Sequence, residues 1–153
     1  MKTAVFPGSF DPITLGHESI IRRALPLFDK IIIAIGTNID KTGYFPLERR
    51  LDWIRSVFNG VEKIEIANYS GLTVDFCKEK GADFMIRGLR TSADFEFERS
   101  VAQVNMRLVQ GIETIFFLTQ PEHVMITSSI VREVHKCGGD VCQFVPQAMH
   151  NSI

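Results

Sequence analysis

The chain is short of every feature that would take it out of the ordinary class of globular proteins. Its three cysteines, Cys77, Cys137 and Cys142, are odd in number and form no CxxC pair, which argues against a disulfide framework and against a zinc site. The longest aliphatic run, at 31–35, is far below the ~20 residues of a membrane helix. Lys2 is followed by only a few apolar residues before Pro7, Gly8 and Asp11, which does not read as a signal peptide. Neither charge dominates: 17 Lys and Arg against 18 Asp and Glu leave −1, too little positive charge for a general binder of nucleic acid or anionic membranes. Repeats, low-complexity tracts and linkers are missing, and so are the Walker P-loop and GxGxxG. The expectation is a reduced, cytoplasmic protein with no nucleic-acid and no membrane partner, in which the Asn68-Tyr69-Ser70 sequon stays unmodified.

What the chain does have is 153 residues, 45% of them hydrophobic and 23% charged, the composition of a folded domain. That length suggests a single domain over 1–153, burying roughly 68–70% of its unfolded surface. Short β-branched and aromatic runs at 2–6, 31–36, 63–67, 83–86 and 114–118 predict strands. Between them, 16–28, 46–58, 72–80, 94–110 and 127–137 predict helices. Strands apolar on both faces and joined by helices imply an α/β fold: a doubly wound, Rossmann-like, five-stranded parallel sheet with helices on both faces. Ligands then belong at the carboxyl ends of the strands, which singles out 7–17, 37–45, 68–73, 87–93 and 119–129.

The first of these segments reads PGSFDPITLGH and opens a helix near Gly16. Gly8 and Gly16 suit a turn or a close approach, and the helix N-terminus offers free amides to an anion. Thr14 and His17, three apart, share a face of the first turn, so a phosphate there would meet the amides, the Ser9 hydroxyl and His17. Taken singly, these residues fit a tight turn, a cap and a surface histidine equally well. Arg87 and Arg90 flank Gly88-Leu89 after the fourth strand, where paired guanidiniums grip phosphate oxygens, although either arginine alone reads as solvated surface. Ser128 and Ser129 with Thr127 suit the cap of the last helix, compatible with phosphate binding at the same end. On the fourth helix, Phe97, Val101, Val104 and Leu108 form one apolar stripe, and Phe95, Ala102, Met106 and Val109 another. One stripe must face the sheet, and the other needs a cover from the chain or from another subunit.

The first-loop string resembles the signature of the nucleotidyltransferase superfamily with the T/HxGH motif. With Lys41, Gly71-Leu72, Val74-Asp75-Phe76, IRGLR at 86–90, DFEFE at 94–98 and ITSSIVRE at 126–133, the chain resembles the phosphopantetheine adenylyltransferase family of bacteria over nearly its whole length. That resemblance implies adenylyl transfer from ATP to 4′-phosphopantetheine, a cytoplasmic homohexamer and Mg2+ as cofactor, with no metal-ligating protein residues. It implies catalytic roles for His17, Lys41 and Arg90. ATP would meet Ser9, Phe10, His17, Gly88, Leu89, Arg90, Glu98, His123, Val124, Met125, Ile126, Thr127, Ser128 and Ser129. The acceptor would meet Ser9, Lys41, Thr73 and Arg87. The rivals are a sister nucleotidyltransferase acting on nicotinamide mononucleotide or using CTP, and a non-catalytic nucleotide- or RNA-binding subunit.

Overall fold

The structure is a computed structural model describing residues 1–38 and 40–153, and among them the five apolar runs align as one parallel sheet. The strands are β1 (Thr3–Gly8), β2 (Lys30–Thr37), β3 (Ile64–Ser70), β4 (Phe84–Leu89) and β5 (Glu113–Leu118), in spatial order β3-β2-β1-β4-β5. The connecting helices are α1 (Leu15–Ala24), α2 (Leu47–Val57), α3 (Thr73–Glu79), α4 (Ser92–Leu108) and α5 (Ser128–Lys136). Side chains alternate across each strand, so Ile31, Ile33 and Ile35 join a core with Ile20 and Ile21 of α1, Ile54 of α2 and Val131 of α5. Ile32 and Ala34 point the other way, into a core with Val74 and Cys77 of α3. Ile31, Ile32, Ile33 and Ile35 are each fully buried, which stabilises by about 1.5–3 kcal/mol apiece. The expected doubly wound fold with helices on both faces is the observed one.

Four boundaries moved, one at a helix end and three at strand ends. The first helix, expected to run to 28, stops at Ala24 and tightens into a 3-10 turn at Leu25–Leu27, because Pro26 has no N–H to extend the ladder. Pro7-Gly8, Asn68-Tyr69-Ser70 and Arg87-Gly88-Leu89, expected in loops, lie within strands. Pro7, Gly8 and Gly88 read as turn signals and Asn68 and Ser70 as loop residues, yet Gly8 pairs with Ile35, Ser70 with Thr37 and Gly88 with Phe117 in the parallel ladders.

The order reverses between β1 and β4. These two pair only at Ala4 with Phe84 and Val5 with Met85, whereas β1 pairs with β2 all the way from Thr3 to Gly8. Beyond Val5 the carboxyl halves of β1 and β4 part, and Pro7 brings no N–H with which to rejoin them. The crevice of a doubly wound sheet opens there.

Candidate functional site

Two cavities flank this crevice, one on each face of the sheet. A cavity of about 320 Å3 lies on the α1 and α5 side, and one of about 460 Å3 lies between β3, α3 and α4. Pro7, Gly8, Ser9, Arg87 and Glu98 line both and form the wall between them.

Thr14 caps α1, and His17 occupies the third helical position of a capping box. The Thr14 amide donates to His17 Nδ1 at 3.0 Å, so in the neutral ring the proton sits on Nε2. Phe10 and Phe6 press edgewise on the imidazole, with ring centroids 5.0 and 6.3 Å away. Burial, then Arg90, then Arg87 lower the His17 pKa from 6.5 to about 4, so at neutral pH it is an uncharged ring with one N–H to donate. Phe10 holds a positive φ of 44° and is 1% exposed. A left-handed conformation costs a non-glycine residue roughly 1–2 kcal/mol, offset here by burial of the ring beneath His17. Gly8 makes that possible, since a Cβ there would sit 3.0 Å from the Phe10 ring.

Arg87, two residues before the end of β4, has one edge of its guanidinium fully engaged. Nε and Nη2 donate to the two oxygens of Glu98 on α4 at 2.9 and 2.6 Å, and Nη1 donates to the Pro7 carbonyl at 2.9 Å. That last bond bridges the gap where the β1 and β4 ladder has stopped. Arg90 faces Asp94, whose Oδ2 accepts from its amide at 3.0 Å and lies 3.4 Å from its Nε. On the far side, Ser128 Oγ donates to the Pro12 carbonyl and Arg132 Nη1 to the Asp11 carbonyl, each at 2.8 Å, which ties α5 to the first loop.

Ser9, His17, Arg87, Gly88, Arg90, Glu98, Ile126, Thr127, Ser128 and Ser129 meet around the first cavity, and Ser9, Thr73 and Arg87 around the second. Phe10 and Leu89 are buried, at 1% and 7% exposure. Lys41, His123, Val124 and Met125 line neither cavity; Lys41 is exposed and Met125 is 82% exposed. His123 lies beside Gly16, and its Nδ1 is buried with no hydrogen-bond partner among the described residues. Gly88 serves packing: Ile20 of α1 comes so close that a Cβ on Gly88 would sit 2.4 Å from its Cδ1. Arg132, Asp94 and Thr119 line the first cavity without having been singled out. Arg132 was detectable, being three and four residues beyond the serine pair on a predicted helix. No group of three or more His, Cys, Asp or Glu capable of holding a metal occurs among the described residues, and no helix among them is long and apolar enough to cross a membrane.

Residues 5–134 match the cytidylyltransferase-like family. A phosphopantetheine adenylyltransferase of Flavobacterium psychrophilum is 53% identical over 149 residues, covering 97% of this chain and 98% of that protein. One from Cytophaga hutchinsonii is 50% identical over 145 residues, covering 95% and 97%. Among solved structures, a putative nicotinate-nucleotide adenylyltransferase from Vibrio parahaemolyticus superposes with a TM-score of 0.70 at 20% identity, covering 97% of this chain and 96% of that one, a likeness of fold. The chain belongs to the cytidylyltransferase-like family and, within it, to the phosphopantetheine adenylyltransferases.

Proposed function

We propose that the crevice between β1 and β4 transfers the adenylyl group of ATP to 4′-phosphopantetheine, giving 3′-dephospho-coenzyme A and pyrophosphate. A phosphate oxygen of the acceptor forms a bond to the α-phosphorus as the bond from that phosphorus to the pyrophosphate oxygen breaks. The attacking oxygen is already anionic at neutral pH, so the protein supplies neither a nucleophile nor a base. Aligning two bound reactants accounts for about 7–11 kcal/mol of barrier, and one preorganised donor to developing charge for about 2.7–4 kcal/mol.

The observation carrying this reading is a neutral His17 with its free N–H beside Arg90 and Arg87, a donor set suited to a phosphate and unsuited to proton abstraction. ATP takes the first cavity, with Arg90, Thr127, Ser128 and Ser129 on its phosphates and ribose. The acceptor arm takes the second, where Leu72, Thr73, Phe97 and Asn105 supply a mixed apolar and polar wall. Arg87 at the shared wall and Lys41 from the 41–45 segment meet the acceptor phosphate. The donor set fits a magnesium ion that enters with ATP: the carboxylates at the cavity, Asp94 and Glu98, are committed to arginines. Bound that way, Mg2+ supplies charge neutralisation on the triphosphate.

The stripe Phe97, Val101, Val104 and Leu108 of α4 stands 67%, 37%, 58% and 53% exposed; of the other stripe only Ala102 is buried, Phe95 and Met106 being 41% and 49% exposed, so neither stripe faces the sheet as a whole. A second copy of the chain covers the first stripe in a homo-oligomer, six copies being the count the resemblance implies.

The deciding experiment is pyrophosphate release with ATP or CTP and a panel of acceptors: 4′-phosphopantetheine, nicotinate mononucleotide and nicotinamide mononucleotide. Turnover with ATP and 4′-phosphopantetheine alone is expected. Turnover only with a mononucleotide acceptor, or nucleotide binding without turnover on any acceptor, overturns the reading.

A further inference from the structure

Asp11 and Arg50 are buried charges that the reaction above leaves unused, each 7% exposed. Asp11 follows β1, and its carboxylate accepts from two successive backbone amides, Tyr44 at 2.7 Å and Phe45 at 2.9 Å. Arg50, on α2 and 4.0 Å from that carboxylate, donates from Nε to the Phe45 carbonyl at 3.0 Å and from Nη1 to the Ser9 carbonyl at 2.8 Å. Gly43 closes over the pair: a Cβ there would lie 2.8 Å from Arg50 Nη2 and 3.0 Å from Asp11 Oδ2. Four hydrogen bonds thus join the peptide of Ser9, which lines both cavities, to the segment that carries Lys41.

A carboxylate and a guanidinium withdrawn from water are costly unless their partners are well placed, so a buried pair of this kind is weak evidence of net stabilisation. We propose that Asp11 and Arg50 are positioning residues for the acceptor phosphate, acting through Ser9 and Lys41. The inference rests on the reaction proposed above. Their bonds set the separation between the Ser9 main chain and the 41–45 segment, and so the width of the phosphate subsite. ATP on the α5 side does not depend on that separation, because α5 holds the first loop by its own bonds, from Ser128 and Arg132.

The test uses the full chain and steady-state kinetics with 4′-phosphopantetheine, with ATP dissociation constants measured separately. Wild-type turnover comes first, and its absence would sink the functional reading rather than this one. Asp11→Asn should raise the acceptor KM tenfold or more while changing the ATP dissociation constant less than twofold. In a Lys41→Ala background the same substitution should add little, because the two act on one subsite. If Asp11→Asn fails to fold, Gly43→Ala serves instead: it keeps both charges, presses its added methyl on the Arg50 guanidinium and the Asp11 carboxylate together, and should raise the acceptor KM while the ATP dissociation constant stays within twofold of wild type. Acceptor KM unchanged in Gly43→Ala, ATP affinity lost in parallel with acceptor affinity, or effects of Asp11→Asn and Lys41→Ala that multiply independently would each overturn the proposal.

Discussion

His17 is fixed in one tautomer and kept uncharged by its surroundings, and both properties can be measured. The folded pKa of about 4 lies below the ordinary 6.5, so protonation of the folded ring is disfavoured by about 3 kcal/mol at 1.36 kcal/mol per pH unit. Because the folded pKa is depressed, the unfolded chain takes up a proton at His17 as pH drops below 6.5, while the folded chain takes none until near 4. Stability is therefore independent of this residue above 6.5 and is lost as pH falls between 6.5 and 4. From pH 7.5 to pH 5 the loss is about 2 kcal/mol. Urea unfolding of wild type and His17→Gln at both pH values and one protein concentration should show that loss in the wild type and lack it in the variant. Nitrogen-15 NMR of the labelled rings should show the Nε2–H tautomer, held by the Thr14 amide at 3.0 Å, through the same range. Equal pH dependence of the two proteins, a titration near 6.5, or an Nδ1–H ring would refute the reasoning.

The other predictions follow from contacts described above. His17→Ala should lower kcat by about 100- to 1,000-fold while barely changing ATP affinity, as expected when a donor to transition-state charge is removed. Gly88→Ala should cost roughly 1–3 kcal/mol of stability through collision with Ile20, and Ile20→Val, which deletes the offending methyl, should restore much of it. Glu98→Gln should raise the acceptor KM, because a neutral amide cannot accept both Arg87 bonds and each such bond to a charged group is worth about 1.5–3 kcal/mol. Val104→Glu, on the exposed stripe and outside both cavities, should shift the protein toward smaller species in light scattering; an unchanged mass would remove that stripe from the interface.

Periodicity and apolar runs were enough to locate the five strands and five α-helices of the described residues, though not their short 3-10 turns, because each pattern repeats within its element. The carboxyl ends of the strands were misread, since Pro7, Gly8 and Gly88 carry turn chemistry locally and are overruled by pairing with distant strands. Ser9, His17, Arg87, Arg90 and Ser128, which meet around the first cavity, were legible by type and position, whereas Lys41 and 123–125 line neither cavity. The partnerships between side chains were not legible: Arg87 and Glu98 are 11 residues apart, Asp11 and Tyr44 33, and Arg132 and Asp11 121, separations that only the crossover geometry closes. The two stripes of α4 looked equivalent because both are apolar. The sheet side is set by Ala102, whose small side chain lets the helix lie close, and by Glu98, which buries only because Arg87 is there to receive it.

The early end of the β1 and β4 ladder turns the middle of the sheet into a saddle. A ligand bound on one face can touch a ligand on the other only by passing over Pro7, Gly8 and Ser9, beside a single arginine rooted in β4. The residues of α1 and α5 around the first cavity and those of α3 around the second therefore belong to different helices and different cores, while α4 reaches both cavities through Glu98. Substitutions at Thr73 of α3 or at Val101 and Asn105 of α4 change the second cavity without touching the first, and a molecule meant to occupy both halves must carry a bend where it crosses the ridge.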